Sequence, residues 1–479
     1  MGKNKVKKGR IVFWSVLGTS VYGEADYVVD GRSCETDLYV QCALMEYLKA
    51  KHPDLVFKIF LTKKARDSNW EKRFEGKPSE KVEKEDGLKY RLEKRYGSLF
   101  DWCDEVDIQD GNNDEQIWSN FNSFYGALEE NDRVYVDITH SFRSIPVLLL
   151  SVLEMAKKTK NITVEDIFYG TYERDNKAKG NKDLVISMGA YDQITEWSNA
   201  IRKFLETGYA KDLHQIVNHD TGKVMQGVVI SSMEEKDLAI KIKKLNDSIK
   251  TFSEMLLSVR GIDVVEGAKA VKKAIEDLNG KENHKEVFQP FYRVLDQIGE
   301  LFKQIQVKNT YIENTNGIVR LCIHFGLYQQ GFTFLSENII SYVCCRALDI
   351  FGQENKDITE FIKILDKYRV QGDVDWKRFG EAKEDKNYIR KIRELLSNAF
   401  EEKFREDKKG SERNSAFSKS RDWQEQLASL RENVQDLRND MNHAGFRDSA
   451  AGYNKLRGNL EDNLKWFEEI VACSKTGNA

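Results

Sequence analysis

Two short stretches carry residue types and spacings that could do chemistry. The first is Val134-Tyr135-Val136-Asp137-Ile138-Thr139-His140-Ser141-Phe142-Arg143-Ser144-Ile145-Pro146. An alternating apolar run that stops at a carboxylate, then passes into small polar residues, a His, an Arg and a Pro, predicts a buried strand delivering a polar loop onto a helix N-terminus. Backbone N–H groups, the positive end of the helix dipole and the Arg143 guanidinium would converge there on an anion. Pro146 suits the first turn because its missing N–H has no partner to lose. An ordinary strand-to-helix turn capped by Ser141 or Ser144 fits the same residues.

The second stretch is Leu437-Arg438-Asn439-Asp440-Met441-Asn442-His443-Ala444-Gly445. Leu437 and Met441 continue an apolar stripe, so Arg438 with Asn442, and Asn439 with His443, form two adjacent polar rows on another side of the helix. Gly445 reads as the C′ residue that ends it. His443 then lies in the last turn, where the dipole's negative end favours the imidazolium and keeps the ring near its switching range. A permanent cation beside a titratable ring suits phosphodiester cleavage in RNA, where the neighbouring 2′-hydroxyl can attack phosphorus in line. His443 would move protons, Arg438 would stabilise equatorial charge and Asn439 would orient the phosphate or the His, with no metal required. A helix-end His and Arg held by local hydrogen bonds is the plain alternative.

The elements that must position these groups alternate over the first two fifths of the chain. Strands are expected at Ile11–Leu17, Leu55–Leu61, Val106–Ile108, Val134–Ile138, Ile162–Tyr172 and Leu184–Met188, with helices near 36–51, 80–96, 114–129 and 144–159. Such alternation predicts a mainly parallel sheet covered on both faces. Ligands of such sheets bind beyond the carboxyl ends of the strands. Gly18-Thr19-Ser20, after the first strand, is a weak signal alone; with one Gly it does not make a dinucleotide-binding loop, so no nicotinamide or flavin is expected. Residues 207–231 lack strong periodicity and read as an interdomain linker carrying His214 and His219. From about 234 onward apolar residues recur at helical spacing: Phe332, Leu335, Ile339, Val343 and Ala347; Trp423, Leu427, Leu430, Val434, Leu437 and Met441; Tyr453, Leu456, Leu460, Leu464, Phe467 and Val471. Residues 173–183 read as a hairpin connection and 405–421 as a mobile insertion.

Composition narrows the classes. A chain of 479 residues is too long for one core. Lys and Arg nearly balance Asp and Glu, for a net charge of -3, so the chain is no generic polyanion binder and any nucleic-acid contact must be a local basic patch. The seven cysteines, at 34, 42, 103, 322, 344, 345 and 473, show no metal-binding spacing and read as reduced, mostly buried thiols of a cytoplasmic protein. The basic start followed by Ile11–Leu17 reads as a strand rather than a signal peptide. Val6 argues against myristoylation. The longest apolar stretch, Ile145–Leu153, is far short of a membrane span, so a soluble protein with no membrane partner is expected.

Two resemblances join these readings. Asp137-Ile138-Thr139-His140-Ser141 resembles the Asp-x-Thr-His-Gly signature of the DxTHG group of CRISPR-associated proteins, whose N-terminal domain is a Rossmann-like CARF sensor for cyclic oligoadenylate. Ser141 replaces the family Gly, and its Cβ resists φ > 0. Arg438-Asn439, three residues and His443 resemble the Arg, four to six residues, His motif of HEPN ribonucleases, in which two copies meet across a dimer and build one composite RNA-cutting site. The segment Gly326–Glu337 resembles the first helix of such domains.

The resemblance implies an α/β plus all-α architecture: a Rossmann-like CARF domain over 1–206, a linker over 207–233 and a helical region over 234–479 ending in a HEPN domain. It implies a metal-independent endoribonuclease of type III CRISPR antiviral defence, allosterically activated by cyclic oligoadenylate and cutting single-stranded RNA, cytoplasmic, and a homodimer or larger assembly. Gly18, Thr19, Ser20, Thr139, His140, Ser141 and Arg143 would hold the activator, with cyclic tetra-adenylate the first expectation. Arg438, Asn439 and His443 would be catalytic, with no metal and no cofactor beyond the activator. Two other classes stay open: a ligand-binding regulator without RNase activity, and a ring nuclease in which His140 or Ser141 degrades the activator.

Overall fold

A computed structural model describes residues 9–71, 87–98, 101–140, 144–172, 182–227, 232–278, 289–306, 308–352, 356–370, 373–381, 386–405, 422–445 and 451–476. The chain divides into two compact units, 1–195 and 196–479.

The first unit is built on one eight-stranded sheet: β1 (Ile11–Val16), β2 (Tyr27–Val29), β3 (Arg32–Ser33), β4 (Val56–Leu61), β5 (Cys103–Asp107), β6 (Arg133–Asp137), β7 (Thr163–Gly170) and β8 (Asp183–Ser187). Their order is β3-β2-β8-β7-β6-β1-β4-β5. The run from β7 to β5 is parallel, and β8 pairs antiparallel with β7. All six expected strands are present, with ends shifted by a few residues. The short β2 and β3, too brief to show a period, were not foreseen.

A parallel sheet with both faces covered needs strands that are apolar on both sides. β1 shows how the sequence meets this. Phe13 packs into one core with Leu44, Leu48, Phe57 and Ile59, while Val12, Trp14 and Val16 enter the opposite core with Phe60, Phe124, Val134 and Leu149. Each fully buried side chain of this size contributes roughly 1.5–3 kcal/mol. Expected helices appear as Val40–Lys51, Leu88–Tyr96, Asp114–Gly126 and Ser144–Thr159. In chain order β1 is followed on one side by β4 and β5, whereas β6 and β7 lie on its other side. The switch point of the sheet therefore falls between β1 and β6.

Among its described residues the second unit is helical apart from turns and a ribbon of Arg369–Val370 and Asp373–Val374. The linker reading of 207–233 gives way here to structure. Lys211–Met225 is a helix with Leu213, Val217 and Val224 fully buried, and residues 228–231 lie outside the described ones. His214 and His219 sit on that helix rather than in a solvated connection. His214 pairs with Asn218 and Asn246 at 2.9 and 3.1 Å, and His219 with Asp220 at 3.2 Å. Tyr453, expected on a buried stripe, is 88% exposed because it precedes the helix Leu456–Thr476 in a short 3-10 turn. Residues 173–181 and 406–421, read as a hairpin connection and a mobile insertion, lie outside the described residues. The vicinal Cys344 and Cys345 are buried free thiols.

Candidate functional site

Ser15 on β1 lies in register with Asp137 on β6 at the switch point, a polar pair inside two apolar strands. The Asp137 carboxylate is sealed from solvent. Its Oδ2 accepts hydrogen bonds from Ser15 Oγ at 2.7 Å and Gln41 Nε2 at 3.2 Å, and its Oδ1 accepts from Thr139 N at 2.9 Å and from the Thr139 hydroxyl. Burial pushes the carboxyl pKa up, and these donors oppose it. Thr139 Oγ1 in turn accepts from Gly170 N at 2.8 Å, at the end of β7. Asp137 and the Thr139 hydroxyl are thus engaged inside the fold and set the path of the loop that follows.

The opposite loop has its own tie. Asn69, buried in the π-helical turn Arg66–Trp70, donates both amide hydrogens, to Gly18 O and Ser20 O, each at 2.9 Å. Gly18 is required by close approach, since a Cβ there would stand 2.5 Å from the Tyr22 hydroxyl and 3.2 Å from His140 O. Gly18 and His140, from the two loops, therefore meet. The Tyr22 ring covers His140 with centroids 4.3 Å apart. His140 is partly exposed as a residue, but its Nε2 is sealed, and burial pushes its pKa down to about 4. Thr19 is half-buried and Ser20 exposed beside them. Ser141 and Arg143 lie outside the described residues.

Ser15, Gln41, Asn69 and Tyr22 were missed by reasoning from sequence. Ser15 had a signal, a lone hydroxyl in an apolar strand, and Gln41 had a weaker one at the start of an apolar helix. Asn69 had none, because its partners are 51 and 49 residues away.

The second candidate lies on the helix Trp423–Asn442. Its expected stripe packs inward through Leu427, Leu430 and Val434. Arg438 Nη1 donates to Ser336 Oγ at 3.3 Å, and Nη2 to Asn439 Oδ1 at 3.1 Å. Asn439 therefore orients the guanidinium with its side chain, and its main-chain carbonyl accepts from His443 N at 2.9 Å. Gln329 Nε2 donates to Asn442 Oδ1 at 3.1 Å. Ser336 and Gln329 both belong to the helix Tyr328–Cys345. His443 is the C-cap, exposed, one position beyond the helix. The C′ residue is Ala444 at φ 54, not Gly445. Ala444 N donates to Met441 O and Gly445 N to Asp440 O, the pattern of a Schellman motif with Gly445 at C″. Among the described residues, no three His, Cys, Asp or Glu side chains cluster as metal ligands would, and no helix is long and apolar enough to cross a membrane.

The chain is thus a doubly wound α/β unit whose loops converge at its switch point, followed by a helical unit. Residues 12–173 match the model of the CARF domain of the CRISPR system endoribonuclease Csx1, and residues 193–310 match that of the second domain of the CRISPR-associated protein MJ1674. The latter match runs through the residues read as a linker. MJ1674 of Methanocaldococcus jannaschii is 26% identical over 152 residues, which are 31% of this chain and 23% of that protein. Together these matches support a CARF-containing accessory protein of type III CRISPR systems.

Proposed function

We propose that this protein is a single-stranded RNA endoribonuclease activated by cyclic oligoadenylate, acting in type III CRISPR defence. The observation that carries this reading is one chain order: a CARF-matched sheet with a loop pair at its switch point, then a helix end where Arg438 is held by Ser336 and Asn439 beside an exposed His443. The reaction asks little of the protein. An RNA 2′-hydroxyl loses its proton to an imidazole and attacks the adjacent phosphorus; the 5′-oxygen leaves with a proton, yielding a 2′,3′-cyclic phosphate and a 5′-hydroxyl. His443 moves protons and Arg438 stabilises the equatorial oxygens as negative charge builds on them. Two copies of the motif brought together in a dimer would supply the base and the acid. The activator drives the change only by binding the active arrangement more tightly than the inactive one.

The test is cleavage of a fluorescent single-stranded RNA in EDTA, with cyclic tri-, tetra- and hexa-adenylate added separately. One ring, cyclic tetra-adenylate first among them, should switch cleavage on, and Arg438→Ala and His443→Ala should each lower the activated rate by 100-fold or more, on the order of general acid–base and charge-stabilising contributions. Ring binding without cleavage under any ring would leave a regulator in place of a ribonuclease.

A further inference from the structure

The turn Tyr453–Lys455 is held against the end of the helix Trp423–Asn442 by a buried carboxylate. Asp440 is 7% exposed, and its Oδ2 accepts from Ala451 N at 2.9 Å. Burying a carboxylate costs free energy that a bond to it partly recovers, so this tie fixes where the turn sits. Asp440 lies in the last turn of its helix, between Arg438 and His443, and Ala451 is two residues before Tyr453. Tyr453 is thereby kept close to the Arg438 and His443 end of that helix. Its ring stands outside the core. At 88% it is more exposed than any other large apolar side chain among the described residues. Its neighbours do not extend it into an apolar patch: Gly452, Asn454 and Lys455 are exposed, and Arg457, paired with Glu461 at 2.9 Å, keeps a side chain that is 65% exposed. The core of a protein–protein interface is depleted of charge. A lone aromatic ring among cations is instead how proteins hold the unpaired bases of a nucleic acid.

We propose that Tyr453 is a stacking platform for the RNA substrate, lying flat against one unpaired base beside the phosphate on which Arg438 and His443 act, with Lys455 and Arg457 along the backbone. A stacked base needs a free face, which a duplex denies it. The ring therefore contributes to the choice of single-stranded RNA and to which bond is cut. This rests on the ribonuclease reading above, and it adds a residue that selects the substrate by touching a base rather than the reacting atoms.

The experiment is steady-state cleavage by the full-length protein, switched on by whichever cyclic adenylate activates it, beside Tyr453→Phe, Tyr453→Leu and Tyr453→Ala. The substrates are single-stranded RNAs with one cleavable site, flanked on either side by each of the four bases or by an abasic ribose. The Phe variant should stay within about threefold of the parent, whereas Leu and Ala should raise KM by about 10- to 100-fold, the scale of one base stacked on one ring. Their kcat should stay within about threefold, because Arg438 and His443 are intact. An abasic ribose at the stacked position should raise the parent's KM by the same factor and leave that of the Ala variant unchanged, the non-additivity expected of two groups in contact. Melting curves and sedimentation of the variants should match the parent. An unchanged KM in the Ala variant, a loss in Phe equal to that in Ala, or an altered oligomeric state in Ala, which would make the ring a protein contact, would each overturn the inference and leave the ribonuclease reading intact. Failure of the parent protein to cut RNA with any ring would overturn that reading and this inference with it.

Discussion

His140 ties the stability of the molecule to pH in a direction that can be worked out. An exposed His titrates near 6.5, and burial lowers this one to about 4. The unfolded chain then takes up a proton before the folded one does. Stability contributed by the neutral ring is present above pH 6.5 and drains away as pH falls towards 4. At pH 5 the loss should reach about 2 kcal/mol relative to pH 7.5, and His140→Gln should remove that part of the pH dependence. Denaturant unfolding of the two proteins at both pH values measures it. The residue's place in the loop was visible in the sequence, because an apolar strand ending at Asp137 must deliver Thr139 and His140 to its carboxyl end. Its neutrality was not visible, since that depends on Tyr22 folding back over it from the other loop.

At the scale of elements, the segment 207–233 shows how a sequence can conceal a helix. Gly208, Asp220-Thr221-Gly222 and Gly227 look like a break. Yet Leu213, Val217 and Val224 recur at helical spacing and all are buried, while Gly222 sits where nothing crowds it. Gly208 and Gly227, at φ 71 and 73, lie outside the helix Lys211–Met225, and tertiary packing against the helix Met233–Leu257 outweighs the weak propensity of Gly222. Leu213→Ala should therefore cost about 2–5 kcal/mol in chemical denaturation, the price of a core cavity, where a linker residue would cost almost nothing. The helices with strong stripes, Tyr328–Cys345 and Trp423–Asn442, were legible from spacing alone. What spacing could not show was their pairing, which places Ser336 under Arg438 and Gln329 against Asn442. The same holds for Ala444, whose left-handed backbone is set by the helix end rather than by residue type.

For the molecule as a whole, the proposed division of labour predicts that sensing and cutting come apart under mutation. A ring held at 100 times its dissociation constant should stabilise the protein by about 2.7 kcal/mol. That gain should be the same in Arg438→Ala and His443→Ala as in the parent, because neither residue belongs to the loop pair. Thermal unfolding with and without cyclic tetra-adenylate reads it out. Loss of the shift in either variant would move the ligand site away from the sheet. Sequence alone gave the order of the two units, since alternating strand and helix patterns give way to helical ones. It did not place the boundary, because the helix Gly189–Thr207 runs across it.

The Asp137 node has a consequence for how such a domain diversifies. One buried carboxylate takes bonds from β1, from its own loop and from the helix Val40–Lys51, so the floor beneath both loops is a single cross-braced piece. A substitution in that floor disturbs every group above it at once. Descendants that answer to a different ligand are therefore expected to share the floor and to differ at loop positions above it, such as Thr19 and Ser20.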